Sequence, residues 1–156
     1  MEQARHRAFS LVELLVVIAI IGTLSSIAVL AISNAREKGR NVKRVADVRQ
    51  IVMSLELYNN DYNGYPTELS AVTLGSGAFS SLCAGGFKTA CGSGEDVFQG
   101  IVPTAPTPWD GTCSEGDNDY SYSTPGGGEF QIEFCLGESV GDLVAGVHIA
   151  NPSGIQ

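Results

Sequence analysis

RHRAFSLVELLVVIAIIG, residues 5–22, is the stretch on which the reading of the whole chain turns. Its first part is short, polar and basic, with Arg5, His6 and Arg7. From Leu14 to Ala35 there is no charged residue, and Leu14–Ile32 is apolar apart from Gly22, Thr23, Ser25 and Ser26. Those nineteen residues, rising about 1.5 Å each as a helix, span roughly 29 Å, the thickness of a bilayer's hydrocarbon core. A helix apolar on every side must be surrounded by lipid or by other helices. A cleaved secretory signal has a shorter apolar region followed by an A-x-A-like site, and neither is found here. A simple membrane anchor fits the length but leaves Glu13 unexplained. An acid at the mouth of a membrane helix costs roughly 3 kcal/mol unless it reaches the interface or finds a partner, which makes it a functional candidate. The plain alternative for Glu13 is an ordinary flank in the headgroup region.

Taken as a string, a basic leader, Phe9, Ser10, aliphatic residues, Glu13, an unbroken apolar helix and Gly22 resemble the N-terminal signature of type IV pilins and type II secretion pseudopilins. The resemblance covers about 25 residues. It implies cleavage between Ala8 and Phe9 by a prepilin peptidase, then N-methylation of the new Phe9 terminus. It also implies that Glu13 neutralises the Phe9 amino group of a neighbouring subunit during assembly, and that Gly22 belongs to the assembling helix. The chain departs from the family in two places. Ala8 stands where Gly is usual before the cleaved bond, and Leu30 stands where many members have Pro.

Past Asn34 the pattern turns from all-apolar to striped. Val42, Val45, Val48, Val52, Leu55, Tyr58 and Tyr62 recur at spacings of three or four, one face of an amphipathic helix, with Lys43, Arg44, Asp47 and Gln50 off that face. Asn59–Gly64 is dense in helix breakers and predicts the end. The run from Ile51 to Pro66, with its tyrosine-rich end and Gly64-Tyr65-Pro66, again resembles the close of this helix in pilins and major pseudopilins.

Residues 67–118 read mostly as loops, with a short helix expected around Leu69–Leu74. Farther on, Phe130, Ile132, Phe134 and Leu136 alternate with Gln131, Glu133 and Cys135, a strand with its apolar set toward the long helix. Gly146–Ala150 predicts another strand, with Val147 and Ile149 inward and His148 exposed. Together these elements predict an α+β fold of pilin-like form: a long hydrophobic-then-amphipathic helix packed on a small antiparallel sheet. The expected divisions are a leader at 1–8, a transmembrane or filament-core helix at 9–34, its amphipathic extension at 35–63 and an extracytoplasmic domain at 64–156.

A domain this small, rich in Gly and Ser, gains from staples. Cys83, Cys91, Cys113 and Cys135 include no C-x-x-C pair and have no nearby histidine, which favours two disulfides over zinc. Cys83–Cys91 and Cys113–Cys135 each close a short local loop and are the preferred pairing, each bridge worth about 2–4 kcal/mol. Counting positive charges at the helix flanks, two leader arginines against six basic residues at 36–49, would by itself put the domain in the cytoplasm. The cysteines argue for the oxidising side.

The net charge is −8, with thirteen acids after residue 50 and Lys88 the one basic residue there. Such an acidic domain is a poor binder of nucleic acid. The basic residues at 36–49 are read first as a solvated face and second as partners for acids of neighbouring subunits. No nucleophile–base set is recognisable, so no catalytic residue is assigned and an enzyme is not expected. Asp110, Glu115, Asp117, Asn118 and Asp119 form an acidic loop without EF-hand spacing. It is read as solvated, with no cofactor or metal assigned. Because major pseudopilins carry calcium in a C-terminal loop, the resemblance keeps calcium open as the minority reading.

The leading functional expectation is a structural subunit of a type IV pilus or related filament. The alternatives are a pseudopilin of a type II secretion system and a non-polymerising membrane-anchored domain. The filament readings imply these partners: copies of itself and minor pilins, prepilin peptidase, an inner-membrane assembly platform, and membrane lipid before assembly. They put the precursor in the cytoplasmic membrane and the product in an extracellular filament or periplasmic pseudopilus.

Overall fold

The computed structural model describes residues 9–156. One long helix, α1, runs Leu11–Tyr62. Its start is a reciprocal cap. The Ser10 N–H donates to Glu13 Oε2 at 3.0 Å, and Ser10 Oγ accepts from the Val12 N–H at 3.4 Å. Its end follows from the expected breakers. Asn63 takes a left-handed φ of 53°, and its N–H closes on Asn59 O at 2.8 Å. The chain divides into two compact units, Met1–Arg36 and Glu37–Gln156. In the first, every described residue is exposed.

The second unit holds the core. Five strands form one antiparallel sheet in the order β1-β5-β6-β7-β8: β1 Val72–Thr73, β5 Ser121–Ser123, β6 Gln131–Leu136, β7 Gly146–Asn151 and β8 Gly154–Ile155. A second sheet, β3-β2-β4, joins Gly86–Lys88, Ser81–Cys83 and Val97–Gln99. Val45, Val48, Ile51, Leu55 and Tyr58 of α1 share a buried cluster with Phe130, Ile132, Phe134 and Leu136, as the alternation in β6 predicts. An aromatic seam extends it. Tyr65 meets Phe130 edge-on with ring centres 4.8 Å apart, and Phe87 meets Tyr122 at 5.0 Å. The fold is thus α+β, a long N-terminal apolar helix with antiparallel sheets.

Four sequence readings need correction. No helix forms at Leu69–Leu74: Val72–Thr73 is the edge strand β1. The segment read as loops carries the whole second sheet, whose strands of three residues are too short to show alternation. The buried face of α1 is rotated from the predicted stripe. Val42 and Tyr62 are exposed, while Asn41, Arg44, Asp47, Ile51 and Ser54 are buried. In β7 the two faces are exchanged, so that His148 is buried and Val147 is 53% exposed. Pairing explains this. Phe134 opposes His148 and Cys135 opposes Val147, and cross-strand partners share a face. Once Phe134 faces the helix, His148 must do so too. Its ring nitrogens lie 3.0 Å from Gln156 O and 2.7 Å from Val144 O.

Candidate assembly site and a buried arginine clamp

Phe9, Ser10 and Glu13 lie at the start of α1, where Phe9 is 79% exposed. Ala8, the other half of the expected cleavage bond, lies outside the described residues. Ser10 precedes the first helical residue, so the chain just after that bond is not part of the helix. Glu13 closes the cap on Ser10 and therefore has a partner inside its own chain. Gly22 sits in the exposed apolar part. Gly22 O accepts from Ser26 Oγ at 3.0 Å, and Ile20 O from Thr23 Oγ1 at 2.9 Å. These hydroxyls are satisfied on the helix's own backbone, which leaves the surface of this stretch apolar.

The second unit contains a polar cluster that sequence reasoning did not find. Arg44 is fully buried. Its Nη1 donates to Asn41 Oδ1 at 3.0 Å and to Asp110 Oδ2 at 3.2 Å. Its Nη2 donates to Asn118 Oδ1 at 2.6 Å and to Pro106 O at 3.0 Å. Arg40 makes a two-pronged pair with the same Asp110, Nε to Oδ2 at 2.7 Å and Nη2 to Oδ1. Bidentate arginine–carboxylate contacts are the strong, geometrically specific kind. Bonding to Arg40, and then to Arg44, holds the Asp110 carboxyl below its ordinary range against the opposing effect of burial. Arg40 in turn is pushed up by Asp110. Asn41 Oδ1 also accepts from the Gly137 N–H at 2.9 Å, tying the end of β6 into the cluster.

A close backbone approach completes it. A Cβ on Gly137 would lie 2.2 Å from Asp110 O, and one on Gly111, at φ 55°, would lie 2.0 Å from Gly137 O. One turn on, Asp47 Oδ2 accepts from the Tyr120 hydroxyl at 3.0 Å and pairs with Lys43 at 2.6 Å. Burial, and then Asp47, push the Tyr120 hydroxyl's pKa up.

Three of the residues read as solvated, Arg40, Lys43 and Arg44, are therefore bound within the chain. So are Asp110 and Asn118 of the acidic loop, both buried. Asn41, Arg44, Val48, Ile51 and Leu55 repeat at spacings of three and four, so a stripe counted without regard to polarity would have found the arginine. Its partners, 66 and 74 positions away, left no comparable signal. The disulfides are Cys83–Cys91 and Cys113–Cys135, the second bridging the loop after Asp110 to β6. Among the described residues, no group of three or more His, Cys, Asp or Glu side chains is arranged to hold a metal ion.

Residues 3–29 match the family model described as the prokaryotic N-terminal methylation motif. The chain is 37% identical over 67 residues to type II secretion system core protein G of Aeromonas hydrophila, covering 43% of this chain and 47% of that protein. It is 38% identical over 63 residues to the protein of the same name in Escherichia coli strain K12, covering 40% and 43%. The chain thus spans about half the length, or less, of these curated relatives. No solved structure matches it.

Proposed function

We propose that this chain, which by its N-terminal motif belongs to the family of type IV pilins and type II secretion pseudopilins, is a structural subunit of a pilin-like filament. The observation that carries the reading is the exposed apolar half of α1. Its apolar span has no residue buried within the chain and begins just after the expected cleavage bond. Leaving several hundred Å² of contiguous apolar surface to water is not sustainable. A lipid bilayer before assembly and the same helices of other copies afterwards are covers of the right chemistry and length.

Within that class, a secretion pseudopilus is the finer reading supported by the names of the curated relatives. The surface type IV pilus is its competitor. In either case the partners are other copies, related minor subunits, a prepilin peptidase acting at Ala8–Phe9 and a membrane assembly platform. The non-polymerising anchor is favoured by one observation, that Glu13 already has Ser10 as a partner. Mass spectrometry of the mature protein tests the class: a methylated Phe9 terminus is expected, and an intact Met1 excludes it. Glu13→Ala is expected to be processed normally yet to form no filaments. Filaments at wild-type yield from that variant would return the chain to the anchor reading. Loss of protein export without loss of a long, antibody-labelled surface filament identifies the pseudopilus, and the converse identifies the pilus.

A further inference from the structure

We propose that Asn63-Gly64 is a site of spontaneous covalent modification, at which Asn63 loses its carboxamide and the end of α1 acquires a carboxylate. Asparagine is one of the chemically labile side chains, because the main-chain nitrogen of the next residue can attack its Cγ. Attack is helped by a following residue without a Cβ, by a main-chain N–H free of hydrogen bonds and by a carboxamide free to turn. The chain has seven asparagines, and Asn63 alone precedes a glycine. Asn41 and Asn118 are buried. Asn34, Asn59 and Asn60 lie within α1, where the following N–H belongs to the helical ladder. Asn151 precedes Pro152, which has no N–H.

The geometry at the helix end adds what the dipeptide alone does not show. Asn63 is exposed, stands just past α1 and, among the described residues, is the only non-glycine with a left-handed φ, 53°. Its own N–H is bonded to Asn59 O at 2.8 Å, but the Gly64 N–H donates to no described main-chain oxygen. The carboxamides of Asn59 and Asn60 donate to Tyr65 Oη at 3.4 Å and to Asp61 Oδ1 at 3.1 Å, whereas that of Asn63 has no such bond among the described residues. A Cβ on Gly64 would meet nothing within 4 Å, so its nitrogen stands in open space.

The step is an acyl transfer within the chain. Gly64 N bonds to Asn63 Cγ, the Cγ–Nδ2 bond breaks, and Nδ2 leaves as ammonia with the proton from Gly64 N. Water then opens the cyclic imide at either carbonyl, giving aspartate or isoaspartate, and nothing is oxidised or reduced. Either product sets a negative charge at the carbonyl end of α1, where the helix dipole opposes it. Isoaspartate also lengthens the main chain just before Tyr65, whose hydroxyl donates to Glu56 Oε1 at 3.0 Å and whose ring meets Phe130. The modification therefore loosens the tie between the end of α1 and the core. None of this depends on whether the chain forms a filament.

Ageing the full chain in detergent micelles, with disulfides intact and in mildly alkaline buffer, tests this. Peptide mass mapping should show carboxamide replaced by carboxylate at residue 63 well before residues 34, 59 or 60, with isoaspartate detected by enzymatic methyl labelling. Gly64→Ala is the control. Gly64 has no left-handed φ and has open space around it, so this variant should fold as its parent does while losing the carboxamide severalfold more slowly. The aged parent should unfold about 2–4 °C below a fresh sample, and aged Gly64→Ala at its starting midpoint. Asn63 outlasting Asn34, or loss in Gly64→Ala at the parent's rate, would overturn the proposal. A converted parent with an unchanged midpoint would overturn the loosening of the helix end.

Discussion

The two halves of α1 invert the usual rule of burial. Phe9–Arg36 is apolar and wholly exposed. Glu37–Tyr62 carries most of the chain's basic residues, yet buries an arginine completely. The difference lies in who supplies the cover. Beyond residue 37 the sheets and the β4–β5 connection provide apolar partners for Val48, Ile51 and Leu55, and oxygens for Arg44. Before it no described residue of the chain provides any; on the proposed function the cover comes from lipid or from other chains. The largest expected effect lies on the buried side. Arg44→Ala takes the arginine donor from buried Asn118 and from Pro106 O, leaves Asp110 with Arg40 alone and opens a cavity where a fully buried side chain stood, which should cost about 2–4 kcal/mol. Urea unfolding, followed by fluorescence of the single Trp109 beside Asp110, measures it. A loss below about 1 kcal/mol would mean that the buried arginine matters no more than a surface charge and would break the contrast.

The opposite substitution probes the other half. Ile20→Lys should oppose membrane insertion by about 3 kcal/mol and reduce the membrane-bound fraction. It should leave the unfolding midpoint of the second unit unchanged, because Ile20 is exposed and no described residue of the first unit belongs to the core cluster.

The same division marks what the sequence made legible. The apolar run, the helix end at Tyr62 and the alternation of β6 are local, periodic patterns, each readable within ten to twenty residues. The register of β7 was readable in principle, since Phe134 inward obliges His148 inward, but it depended on a pairing the sequence does not print. The second sheet was hidden by strands of three residues among Gly and Ser. The clamp was least visible. A charge on a helix is ordinarily solvated, and what buries Arg44 is a carboxylate and an amide that approach only after the chain has folded. Glu13 looked partnerless for the opposite reason: its partner, the Ser10 N–H, is a backbone group that sequence patterns overlook.

Smaller effects follow from titration. The Asp110 carboxyl is held below its ordinary value, so its stabilisation is complete above the unfolded pKa of about 3.9 and is lost as pH falls through the folded one. Acid unfolding should begin below about pH 4 and should be blunted in Asp110→Asn, whose starting stability is lower. At the alkaline end the sign reverses. Burial, and then Glu56, push the Tyr65 hydroxyl up to about 12, and burial raises Tyr122 as well. Their contribution is full below the unfolded pKa of about 10 and declines as pH rises from there toward 12. Tyr65→Phe should make that alkaline limb shallower, Tyr120 and Tyr122 remaining, while leaving the acid limb unchanged, as a pH series of unfolding midpoints would show.

The smallest expected effect on stability separates two roles of one residue. Ser10→Ala removes a weak cap and should cost about 1 kcal/mol of local helix stability, visible as faster amide exchange at Leu11–Glu13 in micelles. The second unit should not respond. Glu13→Gln is the sharper comparison, because its amide oxygen can still accept from the Ser10 N–H while the negative charge is gone. If filament assembly requires only a well-formed helix start, Glu13→Gln should assemble and Glu13→Ala should not. If assembly requires the charge to meet an amino terminus, both should fail, and Ser10→Ala should still assemble. The second pattern is the one expected here. A capped helix end exposed to water gains little from an ionised acid, whereas the same acid enclosed among apolar helices needs a positive partner.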